Sequence, residues 1–189
     1  IVLYKLGDAF AGSLSTTFLI RGAGFTPTEV GAVNKVLGLL ATIVGALAGG
    51  AWLARRPLYH ALMVFGLLQA VSNFGYWLIA VLPKSYPLMA AAIGLENLCG
   101  GLGTAAFVAF LMALTDRRYS AAQYALLSAL SAVGRIYVGP AAGVMVAAFD
   151  WPLFFLLTAL PGLILLRFLR PVVLALDDDR SAERQQARE

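Results

Sequence analysis

A chain of 189 residues that is 60% hydrophobic and 13% charged carries about half of the roughly 25% charged residues usual for a soluble domain. With a mean hydropathy of +0.82, that composition excludes a water-soluble fold, a disordered chain and a basic nucleic-acid-binding domain. One cysteine, Cys99, and one histidine, His60, permit neither an internal disulfide nor a transition-metal site, and the net charge of +4 bears on membrane orientation.

A transmembrane helix needs about 20 mostly apolar residues to cross roughly 30 Å of hydrocarbon. Six runs meet that requirement, at about 1–20, 29–54, 59–82, 86–115, 120–149 and 152–168. The expected fold is an all-α integral membrane bundle of six helices. Transmembrane strands would instead show alternating segments of ~10 residues, and these runs are longer and unbroken.

The first run opens as Ile1-Val2-Leu3-Tyr4, without an initiator Met or a signal peptide. The expectation is therefore a fragment whose N-terminal part is missing. Before the second run, Thr26-Pro27-Thr28-Glu29 reads as an N-cap, a proline at the first helical position and a carboxylate that closes a capping box. Leu82-Pro83-Lys84-Ser85-Tyr86-Pro87 places two prolines in the turn between the third and fourth runs. Ser120-Ala121-Ala122-Gln123 starts the fifth with a second capping box. Within the fifth, Gly139-Pro140 is expected to bend the helix. Residues 171–189, rich in Asp, Arg and Glu, are expected to form a disordered tail. Short loops make neighbouring helices antiparallel.

Lys and Arg fix the orientation. One side holds Arg55, Arg56, Arg117, Arg118, Arg167, Arg170, Arg180, Arg184 and Arg188; the other holds Arg21 and Lys84. Nine against two places both ends of the chain in the cytoplasm, with an even number of crossings.

Charges inside spans are costly unless paired or hydrated, and they mark functional positions by default. Lys5, Asp8, Gly12 and Ser15 share one face of the first run, and Asn34 and Lys35 precede a stripe of Gly38, Thr42, Gly45 and Gly49 in the second. Gln69, Asn73 and Tyr76 share a face of the third; Glu96, Asn97, Gly100 and Gly103 lie in the fourth; Tyr124, Ser128, Ser131, Arg135 and Gly139 lie on one face of the fifth. At about 1.5 Å per residue, Glu96 lies roughly 15 Å deep and Asp8 roughly 18 Å from the outer face. Two acids, Asp8 and Glu96, and two bases, Lys35 and Arg135, are thus expected near one central cavity. An equal alternative is that these charges only tie helices together. The amides Asn34, Asn73, Asn97 and Gln69 can serve as interhelical hydrogen-bonding groups, and the glycine stripes as packing surfaces. No GxSxG, HExxH, Walker or dinucleotide fingerprint is present, so no enzyme activity, cofactor or metal is expected.

Several ordered blocks resemble a known family. They are Tyr4-Lys5-Leu6-Gly7-Asp8-Ala9-Phe10-Ala11-Gly12-Ser13-Leu14, Phe18-Leu19-Ile20-Arg21, Gly31-Ala32-Val33-Asn34-Lys35, Glu96-Asn97-Leu98-Cys99-Gly100-Gly101-Leu102-Gly103-Thr104-Ala105 and Leu126-Leu127-Ser128-Ala129-Leu130-Ser131-Ala132-Val133-Gly134-Arg135. Together they resemble the C-terminal half of AmpG-type muropeptide permeases of the major facilitator superfamily, over about residues 1–168. The resemblance implies half of a 6+6 fold in the bacterial inner membrane. It implies proton-coupled import of N-acetylglucosamine–anhydro-N-acetylmuramic acid and its peptides for peptidoglycan recycling. The lipid bilayer and a missing N-terminal six-helix half would be the structural partners.

On that implication Asp8 and Glu96 are the proton-coupling candidates. Lys35 and Arg135 would meet substrate carboxylates or neutralise the acids. Asn34, Asn73, Asn97 and Gln69 suit acetamido and hydroxyl groups, and Tyr76 and Tyr124 suit sugar faces. Alternatives are a related transporter of another bulky anion such as acetyl-CoA, or a non-transporting membrane scaffold half.

The orientation is directly testable. A Ser181→Cys variant should resist a membrane-impermeant maleimide applied from the periplasmic side of intact cells; efficient labelling there would reverse the assignment.

Overall fold

The computed structural model describes residues 6–115 and 120–186, and every regular element in them is helical. Helix α1 (Leu6–Thr17) passes into a π-helical turn, Phe18–Gly22. Gly24 then takes φ +72°, a left-handed conformation that glycine adopts without a Cβ penalty, and the chain reverses. The expected cap forms at Thr26. The Glu29 N–H donates to Thr26 Oγ1 at 3.3 Å and the Thr26 N–H donates to Glu29 Oε2 at 2.8 Å, with Pro27 as first helical residue. Two orphan N–H groups at the helix start are thereby satisfied.

Helix α2 (Pro27–Val33), a π-helical turn (Asn34–Gly38) and α3 (Leu39–Leu53) form one continuous rod, Pro27–Leu53. Helices α4 (Leu58–Val81) and α5 (Tyr86–Ala113) follow. Helix α6 (Ser120–Gln186) consists of two limbs that meet at Asp150, whose φ 60°, ψ 171° is not helical. This break falls at the boundary expected between the fifth and sixth runs, just before Pro152, whose missing N–H has no helical partner to lose at a new helix start. Gly139-Pro140 lies inside the first limb without leaving helical dihedrals. A proline can be carried in this way at the cost of one hydrogen bond. The second limb continues through the charged stretch to Gln186, where the composition led us to expect no regular structure.

Among the described residues, four helices are long and apolar enough to cross a membrane: Pro27–Leu53, Leu58–Val81, Tyr86–Ala113 and Ala121–Thr158. The last contains the fifth expected run and the start of the sixth. The described part of α1, at 12 residues, is shorter than the first expected run.

Helix α5 is central, packing against α3 and α4, while α6 packs on α4 and α1. Two apolar clusters hold the ends apart. One gathers Phe18, Tyr76, Met89, Ile93, Phe154 and Phe155; the other gathers Leu58, Leu62, Phe65, Phe107 and Phe110. In the first, the Tyr76 ring stacks on Phe155 with centroids 5.2 Å apart, and Phe18 meets Phe155 edge-on at 4.9 Å. The α2–α3 rod turns Val36, Leu40, Val44 and Leu47 outward, as a helix bordering lipid does.

Next to the first cluster the two loops are tied together. Lys84 Nζ donates to the Gly24 carbonyl at 2.6 Å and lies 4.8 Å from the Phe25 ring centroid. Tyr86 Oη donates to Glu29 Oε1 at 2.8 Å, joining the start of α5 to the cap of α2.

The α3–α5 contact is backbone against backbone. A Cβ at Gly45 would overlap the Leu98 carbonyl oxygen, and one at Gly101 would overlap the Thr42 carbonyl oxygen and stand 2.9 Å from the Ala46 nitrogen. At Gly49 it would lie 2.9 Å from the Ala105 Cβ. This is small-residue packing, in which apolar helices in lipid gain close van der Waals contact. Gly45→Ala should therefore lower the thermal stability of the detergent-solubilised protein, by about 1–3 kcal/mol typical of overpacking. Gly50→Ala, where nothing lies within 4 Å, should be neutral or gain up to about 1 kcal/mol. Equal stability of the two variants in a melting assay would contradict the packing.

Candidate functional site: a polar cavity between α1, α3 and α5

Helix α5 presents Glu96, Gly100 and Thr104 at four-residue intervals, which puts them on one face. That face, with Asn97, forms one wall of a cavity of about 370 Å³. Gly12, Ser15 and Thr16 of α1 form a second wall, and Asn34 and Thr42 of the α2–α3 rod a third. The volume is within the roughly 300–1,000 Å³ of small-molecule pockets.

Asn97 organises the wall between α3 and α5. Its Nδ2 donates to the Ile93 carbonyl at 2.8 Å and toward Asn34 Oδ1 at 3.4 Å. Thr42 Oγ1 lies 3.2 Å from Asn97 Oδ1 and 2.9 Å from the Gly38 carbonyl, so its single proton serves one of them at a time. Gly38 makes room for the pair of amides, since a Cβ there would stand 2.9 Å from Asn34 Oδ1 and 3.2 Å from Asn97 Nδ2. Asn34 begins the π-helical turn, a distortion that recurs at functional sites because it redirects side chains and loosens the backbone ladder.

Glu96 is held from the opposite side. The Tyr76 hydroxyl donates to Glu96 Oε2, and the phenol is 1% exposed between Phe18 and Phe155. Its other oxygen, Oε1, faces α1, where a Cβ on Gly12 would stand 3.9 Å away. The carboxyl thus has one oxygen anchored by a buried phenol and the other beside a polar cavity.

Of the residues singled out from sequence, Glu96, Asn97 and Asn34 line the cavity. Tyr76 meets the cavity wall at Glu96 and Ser15 through its hydroxyl, and its ring packs on Phe155 instead of presenting a face to a sugar. Gln69 and Asn73 lie behind α5, on α4: a Cβ on Gly100 would stand 3.9 Å from Gln69 Oε1, and Asn73 is 1% exposed. Lys35 is exposed and does not line the cavity, because successive helical residues point about 100° apart and Asn34 takes the inward direction. Tyr124 packs against the Leu58–Phe107 cluster, away from the cavity. The side chains of Asp8 and Arg135 lie outside the described residues. Thr16 and Thr104 line the cavity without having been singled out; the four-residue step from Gly100 to Thr104 was the available signal. Among the described residues, no group of three His, Cys, Asp or Glu side chains is placed to hold a metal ion.

Comparison with known proteins agrees with this architecture. The Major Facilitator Superfamily profile matches residues 2–189. The chain is 63% identical over 169 residues to the anhydromuropeptide permease of Escherichia coli K12, covering 88% of this chain and 34% of that protein, and equally to the one from strain O157:H7. It is 35% identical over 176 residues to a Rickettsia conorii protein bearing the name AmpG 4, covering 92% of this chain and 42% of that protein. The chain thus spans about a third of the length of the E. coli relatives it matches. It is a multi-pass membrane protein that belongs to the Major Facilitator Superfamily.

Proposed function

We propose that this chain is the C-terminal six-helix half of a proton-coupled importer of anhydromuropeptides in the bacterial inner membrane, with both of its ends in the cytoplasm. The carrying observation is Glu96, a carboxyl in the membrane-spanning helix α5, anchored by Tyr76 on the wall of a polar cavity. Charges at such depth mark substrate and proton paths by default. The E. coli relatives named for anhydromuropeptide transport supply the substrate class.

In this reading, Asn34, Asn97 and Thr42 bind the hydroxyl and acetamido groups of the sugar. Arg135 of the fifth run meets its carboxylates. Asp8 of α1 and Glu96 carry the proton. When Glu96 is protonated it loses the charge–dipole attraction to the Tyr76 hydroxyl, and the tie between α4 and α5 weakens. Proton binding is thereby linked to helix position, as coupled transport requires. The opposite wall of the cavity comes from the other six helices of a 6+6 fold, around a site near the bilayer midplane.

In the full-length transporter, Glu96→Gln or Asp8→Asn should abolish concentrative uptake of labelled N-acetylglucosamine–anhydro-N-acetylmuramic acid across an imposed pH gradient, with membrane insertion intact. Tyr76→Phe should retain uptake at a lower rate and shift its pH profile. Normal accumulation by both acid variants would assign the proton path elsewhere, and absence of uptake by the unmodified transporter would remove the substrate assignment.

A further inference from the structure

Behind the cavity wall, three polar atoms are buried without a hydrogen-bond partner: Gln69 Nε2, Gln69 Oε1 and Asn73 Oδ1. Gln69 and Asn73 are four residues apart and share a face of α4 with Tyr76, the face that meets α5 at Glu96. An unpaired amide group removed from water costs several kcal/mol in an apolar medium. Most buried side-chain polar atoms have a partner; here three without one lie on adjacent turns of α4.

The unmet groups have a definite chemistry. Gln69 offers the N–H donors of Nε2 and one carbonyl acceptor, and Asn73 adds a second acceptor. A secondary amide complements them: its carbonyl accepts from Gln69 Nε2, and its single N–H serves one of the two acceptors or is shared between them. Nothing charged is demanded, and an anion would face the two acceptors unfavourably. The position is also reachable. Gly100 lines the cavity, and a Cβ on it would stand 3.9 Å from Gln69 Oε1, so the bare glycine brings Gln69 next to the cavity wall.

We infer that Gln69 and Asn73 form a subsite between α4 and α5, closed in this conformation and entered from the cavity past Gly100, that takes up a secondary amide of the substrate. The inference rests on the muropeptide reading and refines it: an acetamido group on the sugar and a peptide bond of the stem are the two sources of that chemistry. The Tyr76–Glu96 tie spans the same helix pair, so whatever loosens it eases access to the subsite.

The test is a double-mutant cycle between protein and substrate in the full-length transporter in proteoliposomes. One arm compares the disaccharide with an analogue whose acetamido nitrogens are replaced by oxygen, which keeps the carbonyl and loses the N–H. The other arm makes the same amide-to-ester change in the first stem linkage of the peptide-bearing substrate. The unmodified protein should lose about tenfold in KM on the substitution that enters the subsite, the value of one well-made hydrogen bond. Gln69→Met, similar in volume but without the amide, should bind amide and ester within about twofold of each other. Asn73→Leu supplies a second variant of matched size. Coupling in the first arm identifies the acetamido group, and coupling in the second the peptide bond. Equal amide-to-ester ratios in the unmodified and variant proteins in both arms would overturn the inference while leaving the transport reading in place. If the unmodified transporter takes up neither parent substrate, the muropeptide reading and this refinement both fall.

Discussion

Where Gly45 and Gly49 of α3 meet Leu98, Gly101 and Leu102 of α5, main chain lies directly on main chain, and the polar geometry of the cavity follows from that distance. Thr42 has a short side chain, and its hydroxyl can reach Asn97 Oδ1 at 3.2 Å only because no Cβ at Gly45 or Gly101 holds the helices apart. Asn34 enters the same network about two turns of the rod earlier, in the space left by Gly38. In water such contacts would be dispensable, since each amide could be hydrated. In hydrocarbon they decide whether a polar helix face can exist at all. The glycines thus act twice, first by giving dispersion contact between the rods and then by bringing the hydrogen-bonding groups within range.

Glu96 belongs to a different balance. A carboxyl at this depth is held by a buried phenol beside a polar cavity, and its second oxygen faces α1 at the bare Gly12. The aromatic cluster of Phe18, Phe154 and Phe155 fixes the phenol in turn. An apolar cluster therefore determines where a polar hydrogen bond can form.

Much of this was legible in the residues. Runs of apolar sequence placed the membrane-crossing rods, Thr26-Pro27-Thr28-Glu29 placed a cap that forms as read, and Glu96, Asn97 and Gly100 placed polar and small residues on α5 that line the cavity. What was not legible depended on rotation and on partners. Periodicity says that Asn34 and Lys35 are both polar, but only the packing of the rod on α5 shows which of two adjacent residues turns inward. Tyr124 carries the same hydroxyl as Tyr76, yet it packs beside Leu58 and Phe107 at the other end, a difference set by tertiary neighbours. A bend was expected at Gly139-Pro140 from the proline's lost hydrogen bond, but helical dihedrals continue through it, and the main chain turns at Asp150, on the expected boundary between the fifth and sixth runs. No local propensity announced the π-helical turns.

The turn at Asn34–Gly38 has a consequence for the phase of the whole rod. A π-helical turn carries one residue more than an α-helical turn of the same height, so it behaves as a one-residue insertion absorbed within a helix. Everything on the C-terminal side, from Leu39 to Leu53, is rotated by about 100° relative to an uninterrupted α-helix. The glycines that face α5 owe their direction to this offset. A chain lacking one residue in this segment could relax to a regular helix with a complete hydrogen-bond ladder, yet it would turn its glycine face away from α5 and toward lipid. The locally better helix and the correctly assembled bundle are thus alternatives here, and the extra residue is what selects the bundle.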